Sequence, residues 1–157
     1  MKVIVPGSYD PVTVGHLDII RAAAERYGEV YAAVFINENK KYKFTLEERA
    51  EMLRLAVADI PGVTVAFSTG RVIDFMRENG IEKIVKGYRN DEDLRWEKLQ
   101  AEYNFENGGY TTELIRCVPE HSEVSSTAVR ERLAEGGTLF DMLPPPVLEY
   151  LANNNLN

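Results

Sequence analysis

Only one cysteine, Cys117, and two histidines, His16 and His121, occur among the 157 residues. The chain therefore forms no internal disulfide and cannot build a thiol-based metal cluster. Cys117 falls in the run Leu114-Ile115-Arg116-Cys117-Val118, which reads as a buried, inert thiol. No apolar run approaches the roughly 20 residues that span a bilayer, and no basic start leads into an apolar stretch of the secretory kind. The expectation is one cytoplasmic domain over residues 1–157 with no membrane partner, fraying at about 153–157. Basic residues are in deficit too: 18 Lys and Arg face 25 Asp and Glu, a formal charge of −7. That balance argues against broad nucleic-acid binding, which needs a basic surface to displace counterions. Also missing are carboxylates paired for glycoside chemistry and a cysteine or serine nucleophile with a histidine partner.

What is present is a ten-residue loop, Gly7-Ser8-Tyr9-Asp10-Pro11-Val12-Thr13-Val14-Gly15-His16. Val3-Ile4-Val5 before it reads as a short buried strand, and Leu17, Ile20, Ala24 and Tyr27 after it recur at helical spacing. Gly7 lets the chain turn sharply off the strand, and Asp10-Pro11 sets a second turn because proline presets its own φ. Thr13 fits a helix N-cap with His16 at the third helical position. Backbone N–H groups in such a first turn lack helical partners and the macrodipole is positive there, so an anion is favoured. His16 can donate to that anion. Its charge is an open balance, since the helix start disfavours the imidazolium while a bound phosphate favours it.

Further apolar runs, at Val30 to Phe35, Val63 to Phe67, Lys83 to Val85 and Thr112 to Val118, are each followed by a helical pattern. This alternation predicts a doubly wound, Rossmann-like sheet of five parallel strands with helices on both faces. Thr45 and Glu48 form a capping box for the second helix, whose inner stripe is Leu46, Ala50, Leu53 and Val57. Val72, Ile73 and Met76 mark the third, which Gly80 ends. The fourth runs from about Asp91 to Phe105 with Leu94, Leu99 and Tyr103 among its apolar positions, and Trp96 is read as core or interface packing. Ser125-Ser126-Thr127 opens a fifth that Gly136-Gly137 stops, and Pro144-Pro145-Pro146 opens a short C-terminal helix.

Right-handed crossovers bring all strand-to-helix turns to the carboxyl edge of such a sheet. Four segments then meet: Ser8 to His16, Asn37 to Lys41, Lys86 to Arg89, and Glu120 to Thr127. Glycine, hydroxyls, one histidine and the cations Lys40, Lys86 and Arg89 suit phosphate groups. Lys41 and Lys43 read as solvated.

Gly7-Ser8-Tyr9-Asp10-Pro11 with Thr13-Val14-Gly15-His16 resembles the opening motif of the nucleotidyltransferases that carry a (His/Thr)-x-Gly-His signature. Lys40-Lys41 with Phe44-Thr45-Leu46-Glu47-Glu48-Arg49, then Lys86-Gly87-Tyr88-Arg89, then Ser125-Ser126-Thr127 before Val129-Arg130-Glu131, follow the order of the bacterial phosphopantetheine adenylyltransferases. The resemblance covers nearly the whole chain and implies transfer of an adenylyl group from ATP to 4′-phosphopantetheine. It implies that Ser8, Lys40, Val72 and Lys86 contact the acceptor. ATP is implied at Ser8, Tyr9, His16, Gly87, Tyr88, Arg89, Glu97, His121, Ser122, Glu123, Val124, Ser125, Ser126 and Thr127. His16 is implied as the transition-state stabiliser. Mg²⁺ entering with ATP and held mainly by phosphates, a hexameric assembly and feedback by coenzyme A complete the set.

Several positions depart from that family's usual pattern. Lys86 stands where arginine is usual, keeping the charge but losing the planar two-pronged grip on phosphate. Arg95 replaces an acidic residue, Trp96 a tyrosine and Val14 an asparagine; His121 occupies an aromatic position and Glu123 one often held by phenylalanine. The alternatives are a related nucleotidyltransferase using nicotinamide mononucleotide or glycerol 3-phosphate, and a non-enzymatic module of flavodoxin or receiver type.

Overall fold

Strand β1 (Lys2–Gly7) carries three consecutive buried residues, Val3, Ile4 and Val5, and a strand that is apolar on both faces belongs at the centre of a sheet covered on both sides. The computed structural model, which describes residues 1–157, puts it there. β2 (Glu29–Phe35), β3 (Val63–Ser68), β4 (Lys83–Tyr88) and β5 (Thr111–Arg116) complete a parallel sheet in the order β3-β2-β1-β4-β5. The helices are α1 (Val14–Tyr27), α2 (Leu46–Val57), α3 (Val72–Asn79), α4 (Asp91–Gly108), α5 (Ser126–Ala134) and α6 (Pro145–Asn153). β1 pairs with β2 along its whole length, from Lys2↔Glu29 to Gly7↔Val34. With β4 it pairs only through Val3↔Lys83 and Ile4↔Ile84. The two central strands then part, and a crevice opens between their carboxyl ends, where strand order reverses.

The expected helix starts are present as hydrogen bonds. Thr13 and Thr45 each accept from the backbone N–H three residues on, and the side chains of His16 and Glu48 accept from the cap N–H in return, so α1 and α2 both carry complete capping boxes. Asn90 caps α4 and Ser125 caps α5 in the same one-way fashion. α6 includes Asn153 and closes through the Leu156 N–H, which donates to the Leu151 carbonyl at 2.9 Å, with Asn155 at φ 55°. Leu156 packs back on the core.

The two sheet faces are unequally covered. One carries a cluster of 24 buried residues drawn from β1, β2, β4, α1, α2, α5, α6 and their loops, while the other holds only Ile4, Ala33, Met76, Ile81 and Ile84. α4 lies over the thinner layer and buries no residue fully. Of the apolar positions of α4, Leu99 and Tyr103 are exposed, and Trp96, at 59% exposure, lies outside the core, so only the interface half of its expected packing remains. No helix is long and apolar enough to cross a membrane.

Two glycines with positive φ separate backbone strain from steric overlap. A Cβ on Gly80 (φ 66°) meets nothing within 4 Å, whereas on Gly62 (φ 82°) it falls 2.0 Å from the Gly28 carbonyl oxygen. Urea denaturation of Gly80→Ala should show a loss of about 1 to 2 kcal/mol from left-handed strain alone. Gly62→Ala should lose clearly more, and equal losses would contradict the overlap.

Candidate active site

The parting of β1 and β4 leaves a cavity of about 430 Å³ at their carboxyl ends. Its floor is Val5 to Asp10 from β1 and its loop, and one wall is Lys86 to Arg89 from β4. The starts of α1 (Gly15, His16) and α5 (Ser125, Ser126, Thr127) face each other across it, and each presents first-turn amides that lack helical partners. Lys40, Lys86, Arg89 and Arg130 line the same space, so a local positive field exists inside a chain of net charge −7. Ile19, Cys117, His121 and Val124 add apolar and aromatic surface to the same space. Phosphates suit the cations and helix starts, and a nucleobase suits the apolar and aromatic surface.

His16 settles its own charge state. The Thr13 N–H donates to its Nδ1 at 3.0 Å, so Nδ1 is an acceptor and the ring proton resides on Nε2. Burial, followed by the positive charges of Lys86 and Arg89, lowers its pKa to about 4. The ring is neutral at neutral pH, with one N–H left to give to a ligand. Its face rests near the Tyr9 ring, with centroids 4.9 Å apart.

The cations are held in place. Arg89 grips Asp93 through Nε to Oδ2 at 2.8 Å and a second guanidinium nitrogen to Oδ1 at 3.2 Å. Burial pushes the Asp93 carboxyl up, but the bonds from Arg89 more than offset it and hold it below the usual range. Lys86 Nζ lies 3.4 Å from Glu97 Oε1. Glu97 Oε2 is buried without a hydrogen-bond partner, and burial, opposed by Lys86, pushes that carboxyl up.

A second, larger cavity of about 950 Å³ adjoins the first and shares Pro6, Gly7, Ser8, Lys40, Lys86 and Glu97 with it. It runs outward between the loops after β2 and β3 and the exposed face of α4, past Val72, Trp96 and Tyr103.

A model of the cytidylyltransferase-like family matches residues 4–132. The chain belongs to that family. It is also similar to the phosphopantetheine adenylyltransferase of Thermobifida fusca (strain YX), at 41% identity over 150 residues, 96% of this chain and 92% of that protein. Membership of the cytidylyltransferase-like family leaves the flavodoxin or receiver alternative without support.

In this cytidylyltransferase-like chain Ser8, Tyr9, His16, Lys40, Lys86, Gly87, Tyr88, Arg89, Glu97, His121, Val124, Ser125, Ser126 and Thr127 all border the first cavity. Val72 borders only the second, and Ser122 and Glu123 border neither. The Tyr9 hydroxyl is spent on the Val5 carbonyl at 2.7 Å, so Tyr9 meets the cavity with its backbone and ring. Ser125 is occupied as the α5 cap, and the Ser126 hydroxyl donates to the Pro11 carbonyl at 2.8 Å. His121 Nδ1 lies 2.5 Å from Asp18 Oδ2, which fastens the last loop to α1. Lys41 and Lys43 are exposed and Cys117 is buried, as expected; burial pushes its thiol pKa up.

Three site residues were not legible as such. Asp10, read as a turn residue, is buried and accepts from the Lys43 and Phe44 N–H groups at 2.8 and 2.9 Å, clipping the first loop to the second. Arg130 donates to the Asp10 carbonyl at 2.8 Å and turns into the cavity; its place four residues after Ser126, on the same helix face, was the available signal. Asp93, four residues after Arg89, offered the same kind of signal.

With only two imidazoles, NMR titration reads His16 directly. A midpoint about 4 is expected in ligand-free protein, and one above 6 would contradict the assigned environment. Because the folded value lies below the unfolded 6.5, the unfolded chain takes up the proton first. The contribution of neutral His16 to stability is complete above pH 6.5 and is lost as pH falls toward about 4.

Proposed function

We propose that this chain transfers the adenylyl group of ATP to 4′-phosphopantetheine, giving dephospho-coenzyme A and pyrophosphate. The observation that carries the reading is the pair of cavities meeting at Ser8, Lys40, Lys86 and Glu97. A reaction that joins two anionic substrates needs two spaces with a cationic boundary between them. The first cavity, with its helix starts and cations, takes the triphosphate, and the second takes the pantetheine arm. Similarity to the Thermobifida fusca protein supports this choice of acceptor.

An acceptor phosphate oxygen attacks the α-phosphorus, the bond from that phosphorus to the bridging oxygen breaks, and pyrophosphate leaves. The attacking phosphate monoester has a second pKa near 6, so about nine-tenths of it is dianionic at neutral pH and no protein base is required. The work left to the site is alignment and charge stabilisation. Ser8, Lys40 and Lys86 hold the acceptor phosphate. Arg89, Arg130 and the first turn of α5 hold the departing phosphates, and neutral His16 gives its Nε2 proton as a hydrogen bond to the charge that develops at the α-phosphoryl group.

No three His, Cys, Asp or Glu side chains are placed to hold a metal ion. Of the carboxylates on the first cavity, Asp10 and Asp93 are bonded through both oxygens, and only Glu97 has a free one. This donor set fits Mg²⁺ carried on the triphosphate by phosphate oxygens and water, with Glu97 as the side chain to reach it. Bound so, the ion neutralises phosphate charge.

A hexamer is proposed as well, supported by the exposed apolar side chains Trp96, Leu99 and Tyr103, which share one face of α4. Feedback by coenzyme A, which shares the pantetheine arm, and a cytoplasmic location complete the reading. Sedimentation velocity should give a particle about six chains in mass, and a monomer at micromolar concentration would remove the assembly.

Purified protein given ATP, Mg²⁺ and phosphopantetheine should release pyrophosphate, and CTP should serve poorly. Release only with nicotinamide mononucleotide or glycerol 3-phosphate would transfer the assignment to another acceptor. His16→Ala should lower kcat roughly 10²- to 10³-fold with little change in KM, because the lost donor acts in the transition state. Lys86→Ala should chiefly weaken acceptor binding, by about 1.5 to 3 kcal/mol for a lost charged hydrogen bond.

A further inference from the structure

Arg49, in the first turns of α2, is only 2% exposed, yet no carboxylate of the chain lies within ion-pair distance of it. Its guanidinium Nε donates to the Phe44 carbonyl at 3.2 Å, and a terminal nitrogen donates to the Ser8 carbonyl at 3.0 Å. The guanidinium carbon sits 3.9 Å from the centre of the Tyr42 ring. The Tyr42 hydroxyl in turn accepts the Asn37 N–H at 2.8 Å, and Lys40 Nζ lies 5.6 Å from the same ring. A buried charge without a counter-charge is costly, and a protein that only needed a packed side chain here would do as well or better with an apolar one.

Arg49 borders neither cavity, so it touches no ligand placed in them. Its contacts lead instead to the loop after β1, through Ser8, and to the loop after β2, through Tyr42. These are the loops that bring Ser8 and Lys40 to the boundary shared by the two cavities. We propose that Arg49 is a positioning residue for the acceptor phosphate, locking Ser8 and the Lys40 loop in register from behind and completing its own charge balance when the dianionic acceptor binds. This rests on the adenylyl-transfer reading of the same site. The guanidinium is suited to the task because one planar group makes two in-plane bonds and stacks on an aromatic face at once, which an ammonium cannot do.

The test compares wild type, Arg49→Met and Arg49→Lys for thermal midpoint, kcat, and KM for phosphopantetheine and for ATP. Arg49→Met keeps the volume and removes the charge. It should fold with a midpoint close to or above that of wild type, while acceptor KM rises, or kcat falls, about ten- to a hundredfold. KM for ATP should move several-fold less than KM for the acceptor, since most ATP contacts lie on α1, β4 and α5 and only Ser8 and Tyr9 belong to the loop that Arg49 holds. Arg49→Lys, with the charge but not the fork, should fall between. Acceptor KM and kcat both within about threefold of wild type in whichever variants fold would overturn the proposal, leaving Arg49 a structural residue. Equal changes in both KM values would overturn it too. Wild type that releases no pyrophosphate would instead overturn the adenylyl-transfer reading, so the two failures are distinguishable.

Discussion

Everything at the site depends on β1 and β4 keeping company for only two residue pairs. Parallel strands that stayed paired to their ends would close the sheet over the region where the loops now meet. β2 stays fully paired with β1, so the central strand is anchored on one side and open on the other. That asymmetry fixes the position of the crevice and, with it, the elements that line it.

The electrostatics of the site are local and contrary to the rest of the molecule. An acidic chain gathers Lys40, Lys86, Arg89 and Arg130 around one space and adds the starts of two helices. Burial, reinforced by the charges of Lys86 and Arg89, keeps His16 neutral, which preserves a hydrogen-bond donor without adding a further fixed charge. Asp93 and Glu97 hold Arg89 and Lys86 by their ends, so the basic groups are ordered before any ligand arrives. Such order lowers the cost of gathering them around a triphosphate.

Local patterns carried the sequence reading where local physics determines the structure. Thr13 with His16 and Thr45 with Glu48 are complete capping boxes, and Gly80 ends α3 in the left-handed region, because caps depend on neighbours a few positions apart. The five-stranded parallel sheet was legible from alternating apolar runs for the same reason. The exposure of Leu99 and Tyr103 on α4 was not legible, because an apolar residue at helical spacing says nothing of whether a partner layer exists to cover it, and here the underlying face is thin. The roles of Asp10 and Arg49 were not legible because the partners that decide them lie 33 or more positions away: Lys43 and Phe44 for Asp10, and Ser8, the link to the first loop, for Arg49. Within the candidate site, residue types and segments could be read in advance, but not which hydroxyls are spent on structure: Tyr9 and Ser126 are committed to the Val5 and Pro11 carbonyls.

The common wall of the two cavities bears on how a catalytic cycle ends. A finished molecule made from both starting halves would straddle Lys86 and Glu97 and retain grips on either side of them. Tethered at two points, it rebinds at one whenever the other lets go, so its escape is slower than that of either half alone. Turnover in such an architecture becomes governed by the departure of the joined compound as much as by bond making.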